Sequence, residues 1–491
     1  MSRETLLLKD VVENLWKILG VPQPASCFAY KVVIMICFTN SMYDDLSVLG
    51  STFGQAIIMK SWFIALLSSL TACSWMVSLQ AGEVDRPNIL FILADDVGRE
   101  VLGCYGGQSY ATPNLDRLAA SGARFNHCYS MPVCHPTRIT LLSGQYPRHL
   151  NHPKWGTYPQ AAEGKTFANI ANGAGYATVV AGKWQLCMMA EKLMHPQMLG
   201  FDQWCLFGWH EGPRYHHPMI YENGHLRTDT EGEYGPNLYV EFLTKFIDRS
   251  VHEGKPFLAF YSMALCHDVT NDLAKPVPYG PRGRYDNFSE MVEEMDQQIG
   301  KLMNHLKQSQ LDQNTLIIFT SDNGTAAKSK LKAINNKNEF RYEQVRSEFE
   351  GQYVRGGKGT LTDWGTRVPM IAVWKDKIHP GQEWNDLVDF SDFLPTITDL
   401  TGGESPKGFV ADGHSLAPLL RTGERTTRKW AYSEMRGRFF LKTEKSKLYN
   451  TGDFFHTDDD PYERSPLDPT KLSGELSSDF ELLQAAMRKQ K

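Results

Sequence analysis

What the chain has little of narrows its class before any motif is read. Its nine cysteines include no C-x-x-C pair, which argues against a zinc site. Basic residues are not in excess: 51 lysines and arginines against 56 aspartates and glutamates leave a net charge of -5, no footing for a nucleic-acid partner. Internal repeats and low-complexity segments are absent. What remains is an ordinary globular composition, 42% hydrophobic and 22% charged over 491 residues, with ample material for a core. At a prior of about 100 to 200 residues per domain, that length allows two or three domains, or one large α/β domain with a smaller companion.

The first 81 residues differ from the rest. Met59-Lys60 followed by the apolar Trp62–Ala72 stretch has the charged start and short apolar middle of a secretory signal, too short for a comfortable membrane span. Residues 1–58 are therefore expected to be a non-native or disordered extension ahead of a start at Met59, and residues 59–81 a signal peptide. Ser78–Ala81 fits ordinary signal cleavage, which is the favoured reading. Leu70–Cys73 fits a lipoprotein box that would leave a lipid anchor on Cys73. Either way the protein is expected to be exported, periplasmic or secreted. Cys27, Cys37 and Cys73 lie upstream of Ala81; Cys104, Cys128, Cys134, Cys187, Cys205 and Cys266 are left, with no disulfide pairing specified by spacing.

From Arg86 onward, apolar runs of strand length alternate with helical patterns, the signature of a large, mostly parallel sheet with helices on both faces. Asn88–Ala94 ends in Asp95-Asp96. Adjacent carboxylates at the end of a buried strand are unfavourable unless something positive meets them, although a helix cap or a solvated loop would explain one such pair equally well. Thr315–Thr320 repeats the arrangement and ends in Ser321-Asp322-Asn323-Gly324. Together Asp95, Asp96, Asp322 and Asn323 form a set of hard oxygen ligands suited to Ca²⁺, or Mg²⁺, rather than zinc.

Between these strands, Cys134 has Pro136 two residues on and Arg138 four residues on, before an apolar run that starts a helix. A lone cysteine is most often a small buried hydrophobe. At a helix N-terminus beside a guanidinium, however, its side chain sits where negative charge is favoured. Lys183 and Gln185 follow the Ala177–Ala181 strand, His267 follows Phe257–Tyr261, and Lys358 sits in the glycine-rich Arg355–Thr360 segment.

Five separated motifs in order, Asp95-Asp96, Cys134-x-Pro136-x-Arg138, Gly182-Lys183-Trp184, Asp322-Asn323-Gly324 and Gly356-Gly357-Lys358-Gly359, resemble the signatures of the type I, formylglycine-dependent sulfatases of the alkaline phosphatase superfamily. The resemblance covers roughly Arg86 to Pro461. It implies a catalytic domain over residues 86–423 and a small antiparallel-sheet subdomain over residues 424–491. It also implies that Cys134 is oxidised to formylglycine by a formylglycine-generating or equivalent maturation enzyme. A divalent cation would be held by Asp95, Asp96, Asp322, Asn323 and position 134. Lys183, Lys358 and Arg138 would surround the sulfate of a sulfated glycan or aryl sulfate, and His267 would protonate the leaving alcohol. One position departs: Gln185 stands where the family has a histidine, so it can donate a hydrogen bond but cannot shuttle a proton. Two rivals stay open, a phosphate or phosphonate ester hydrolase of the same architecture and a catalytically silent sulfate-binding homologue. Nothing in the sequence indicates an oligomeric state.

Four further expectations concern the scaffold. Thr112 is expected to cap a helix begun by Pro113. Asp286–Leu311 is read as an amphipathic helix facing the core through Met291, Met295, Ile299, Leu302 and Leu306. Thr325–Tyr353 reads as a long irregular loop. Trp204, Trp209, Tyr215, His216 and His217 offer either sugar-stacking surfaces or domain packing.

Overall fold

The Asn88–Ala94 strand, β1, is apolar along its whole length because both its faces are covered. Ile89, Phe91 and Leu93 enter one hydrophobic core, while Leu90, Ile92 and Ala94 enter a second on the opposite side. A side-chain period of two thus splits one strand between two layers. In the computed structural model, residues 86–208, 211–268, 285, 287–333 and 340–490 are described, and they belong to a single unit spanning Val84–Lys491. The expected extension and leader, with Cys27, Cys37 and Cys73, and Trp209 lie outside the described residues.

Seven further strands follow in chain order: β2 (Ala123–Tyr129), β3 (Ala177–Lys183), β4 (Gln203–Phe207), β5 (Tyr221–Glu222), β6 (His225–Leu226), β7 (Phe257–Ser262) and β8 (Thr315–Ser321). Then come β9 (Lys328–Ala333), β10 (Phe340–Gln344), β11 (Arg346–Phe349) and β12 (Gln352–Arg355), which pair as two antiparallel hairpins. The long irregular loop expected here is therefore mostly strand. Its short polar alternations fell below the length at which period-two patterning is distinctive. The strands β13 (Arg367–Val373) and β14 (Gln382–Asp389) return to the main sheet, whose order is β14-β2-β13-β8-β1-β7-β3-β4-β5-β6.

Strands β8, β1, β7, β3 and β4 are mutually parallel. Because β13 is antiparallel to both β8 and β2, strand β2 runs with them as well. All their carboxyl ends therefore open on one edge, the edge where ligands bind in open α/β sheets. The Cys134–Ser143, Phe167–Gly173 and Phe393–Thr401 helices pack into the first core, and the Pro113–Ala120, Gly235–His252 and Phe288–Gln308 helices into the second. The last of these buries Met291, Met295, Ile299, Leu302 and Leu306 as expected. Thr112 takes the N-cap position ahead of Pro113 as expected, but its side chain makes no cap bond. Its hydroxyl instead accepts from the Gly103 N–H at 3.0 Å and donates to Asp116 at 3.1 Å, tying an upstream turn to the helix.

Beyond these lies a four-stranded antiparallel sheet, β15 (Ala431–Met435), β16 (Arg438–Lys442), β17 (Ser446–Tyr449) and β18 (Phe454–His456), backed by a Gly474–Lys489 helix that buries Leu483 and Met487. No helix among the described residues is long and apolar enough to cross a membrane. The six described cysteines are all free thiols. Trp204 and Tyr215 are buried, so of the two alternatives for that aromatic segment these residues take domain packing.

Candidate active site

The neighbours β8, β1, β7 and β3 each deliver a polar group to the same edge. From β1 come Asp95 and Asp96, both buried. Asp96 adopts a left-handed backbone with φ 64°, and its N–H donates to Asp322 Oδ1 at 3.2 Å, which locks the tips of β1 and β8 together. From β8 come Asp322 and Asn323, both fully buried, with Asn323 Nδ2 donating to Asp96 Oδ1 at 2.8 Å.

Three cations meet these three carboxylates. Lys183 Nζ lies 2.6 Å from Asp95 Oδ2. Lys358 Nζ lies 2.6 Å from Asp96. Arg138, almost fully buried, donates to Asp322 Oδ2 from Nη2 at 2.7 Å and from Nε at 3.2 Å, and its Nη2 is 3.9 Å from Asp95. Arg138 also donates to the Ser262 hydroxyl, which passes the bond on to the Lys183 carbonyl at 2.6 Å. Ser262 closes β7 and had no motif to announce it; its signal was only a small polar residue ending an apolar strand.

Glycine makes the β3 edge possible. Gly182 has φ +104°, and a Cβ there would stand 2.0 Å from the Ser262 carbonyl oxygen. No other residue fits between β3 and β7 at that point. Three residues on, Gln185 is buried with φ 57°, and its Oε1 has no hydrogen-bond partner among the described residues. Between them, Trp184 is held by donating from Nε1 to His195 Nδ1 at 3.0 Å.

Cys134 is the first residue of its helix, Val133 the extended residue before it, and the side chain is buried. One turn later on the same helix is Arg138. The Lys358 loop closes over the cysteine's flank, where the Gly359 N–H donates to the Pro132 carbonyl at 2.8 Å. Despite burial, both Arg138 and Lys358 hold their protons more tightly than usual: Asp322, Asp95 and Cys134 act on the first, and Asp96, Cys134 and Asp95 on the second. Cys134 therefore shares the electrostatic environment of the carboxylate cluster.

The carboxylates respond unequally. Burial pushes Asp95 up, but Lys183, Arg138 and Lys358 together carry it below the usual carboxylate range. Asp322 is pushed up to about 7 by burial and by the Asp95 charge, against the pull of Arg138. His267 is driven well below its ordinary value by burial and then by Lys358 and Lys183, so its ring is neutral.

Besides Gln185 Oε1, two buried oxygen atoms on the β1 and β8 tips are left over: Asp95 Oδ1 and Asn323 Oδ1 have no hydrogen-bond partner among the described residues. Orphaned hard oxygens on adjacent strand tips fit a divalent cation, which satisfies such atoms better than any side chain present. Ligand atoms of Asp95, Asp96 and His267 also lie within 4.8 Å of one another. The oxygen set is the better match to Ca²⁺ or Mg²⁺, and the imidazole adjoins it.

The sequence positions thus converge: Asp95, Asp96, Asp322, Asn323, Lys183, Lys358 and Arg138 by direct contact, His267 and Cys134 by proximity, and Gln185 two residues beyond Lys183. Arg214, absent from any motif, joins them by donating to His267. The family model for sulfatases matches residues 87–403, which contain every one of these side chains. The N-acetylgalactosamine-6-sulfatase of Canis lupus familiaris is 30% identical over 72% of this chain and 69% of its own. Arylsulfatase A of Bos taurus is 30% identical over 74% of each chain. Among solved structures, the PsFucS1 sulfatase from Pseudoalteromonas sp. superposes with a TM-score of 0.65 at 25% identity, covering 86% of this chain and 94% of that one. A catalytic edge assembled from four parallel strands, matched along most of its length by such relatives, places the chain in the sulfatase family.

Proposed function

We propose that this sulfatase releases inorganic sulfate from a sulfated carbohydrate, after conversion of Cys134 to formylglycine by a maturation enzyme and with Ca²⁺ or Mg²⁺ held by Asp95, Asp96, Asp322, Asn323 and position 134. The observation that carries this reading is the pairing of two orphaned oxygens, on Asp95 and Asn323, with three converging cations beside Cys134. When bound, the cation and the hydrated aldehyde supply, respectively, charge neutralisation at the sulfate oxygens and a nucleophilic oxygen.

The chain's own groups do the rest. A sulfate monoester gathers charge on its bridging oxygen as the S–O bond breaks, so fixed positive charge must surround the sulfur and a donor must face the leaving oxygen. Lys183 and Lys358 are available to turn from Asp95 and Asp96 toward an incoming anion. Arg138, pinned by Asp322 and Ser262, keeps position 134 in an electropositive setting. Gln185 contributes amide hydrogen bonds to sulfate oxygens. His267 faces the bridging oxygen as donor. Carbohydrate is favoured because one relative is named for an amino-sugar sulfate. Export is consistent with such substrates, and a catalytic domain over residues 86–423 with a companion over 424–491 remains our reading of the chain.

Sulfate release from a panel of sulfated sugars, with aryl sulfate and aryl phosphate alongside, tests the proposal, together with mass analysis of the peptide carrying residue 134. We expect sulfate turnover, little phosphate turnover and an aldehyde in place of the thiol. Full activity with an intact thiol would overturn the formylglycine reading. Binding of sulfated sugar without release, with position 134 converted, would mark a silent homologue.

A further inference from the structure

From the contact between Arg214 and His267 we infer that Arg214 is a positioning residue that fixes the His267 ring with its proton on Nε2, making His267 a hydrogen-bond donor to the leaving oxygen and not a base. The inference about the leaving oxygen rests on the sulfatase chemistry proposed above. The tautomer itself does not.

His267 sits five residues beyond β7, and both ends of it are held by one dipeptide. The Tyr215 hydroxyl lies 2.5 Å from the His267 carbonyl and 2.7 Å from the Ala264 carbonyl and shares its one proton between them, fixing the backbone. Arg214, 2% exposed and lying over the Phe207 ring at 5.3 Å, places Nη1 3.0 Å from His267 Nδ1. The dipeptide is itself anchored, since the Gly235 N–H donates to the Tyr215 carbonyl at 2.6 Å.

A guanidinium has five N–H donors, no acceptor, and stays protonated at any accessible pH. Nδ1 must therefore supply the lone pair, and the imidazole proton is left on Nε2. The Asp268 carbonyl, 3.3 Å from the same nitrogen, would select the opposite tautomer. That choice would set Nδ1–H against the arginine N–H, two donors 3.0 Å apart, for a longer bond to an adjacent residue. With the only ring lone pair spent on Arg214, Nε2 has a hydrogen to offer and nothing with which to accept one. A base that deprotonates the nucleophile through this ring is excluded, whereas donation to a bridging oxygen is prepared.

The test uses cation-loaded, converted enzyme labelled with ¹⁵N-histidine. Subtracting the His267→Gln spectrum identifies the ring among the fifteen histidines of the chain. We expect unprotonated Nδ1 and protonated Nε2 at neutral pH, loss of that preference in Arg214→Met, and its return in Arg214→Lys. In turnover, Arg214→Met should lower kcat about 10- to 100-fold for sulfate esters of poorly acidic alcohols, a share of what a positioned acid contributes. For nitrophenyl-type esters, whose leaving oxygen needs little help, the loss should stay within about threefold, with KM little changed. A protonated Nδ1 in the wild type, or an equal loss across all leaving groups, overturns the inference. If Arg214→Met fails to fold, the wild-type and Arg214→Lys spectra still decide it. Wild-type enzyme that releases no sulfate would defeat the proposed chemistry and leave the tautomer result intact.

Discussion

Two buried charge clusters in this molecule look alike in composition and differ in what is left over. Where the C-terminal sheet meets the main one, Arg428 pairs with Asp389 at 2.8 Å and with both oxygens of Asp392. The remaining lone pairs are taken by the Tyr146 hydroxyl at 2.8 Å and by the N–H groups of Ser391, Tyr432 and His414. At the β8-β1-β7-β3 edge, three cations face three carboxylates, yet Asp95 Oδ1 and Asn323 Oδ1 have no hydrogen-bond partner among the described residues. Burial of charge is thus not what marks a site. A cluster that saturates itself is a joint, while one with unspent oxygens is waiting for a ligand.

That contrast is breakable by mutation. The largest effect should come from Cys134→Ala, which is expected to reduce sulfate release by more than about a thousandfold while urea midpoints barely move. Arg428→Met should do the reverse, costing about 3–5 kcal/mol in chemical denaturation because two buried aspartates lose their counter-charge. Comparable instability in both variants would erase the distinction drawn here.

A sharper comparison uses Asp322→Asn, the isostere of the protonated carboxyl. Cation-free stability should fall by about 1–3 kcal/mol, since both Asp322 oxygens accept, one from the Asp96 N–H and one from Arg138, and the amide turns one acceptor into a donor. Calcium affinity by titration calorimetry should fall at least about tenfold. The sign of the pH effect follows from the same group. Below about 7, the proton on Asp322 competes with the cation, so affinity should climb as pH rises toward 7 and level off above it.

The smallest effect lies outside both clusters. Burial pushes His127 down to about 3 and His135 and His195 down to about 4, so all three are neutral in the fold. Between those values and the ordinary 6.5 the unfolded chain binds more protons, so stability should rise with pH from about 4 to about 6.5 and be insensitive to these groups above. Denaturation across that window should show the slope, and His195→Gln should flatten it.

Much of the edge was legible in sequence because each contributor sits at the end of an apolar run: Asp95 after β1, Asp322 after β8, Lys183 closing β3. Strand length and burial set those runs, and both are local properties. Thr112 stands at the cap position its residue type suits, whereas its hydroxyl was claimed by the Gly103 turn. The hairpins over Lys328–Arg355 were missed because their strands are short and polar. Ser262 and Arg214 were invisible for another reason: their partners lie 124 and 53 residues away in the chain.

The amino-acid order alone determined which residues end each buried strand and where the Cys134 helix begins. Those follow from periodicity and chain stiffness, both read within a few residues. Only tertiary structure decided that four strand tips are neighbours, that two oxygens go unpartnered among them, and that an arginine from a distant loop turns the histidine ring. Hydrogen bonding and Coulomb forces act across space, and strand order places groups beside one another that the chain keeps far apart.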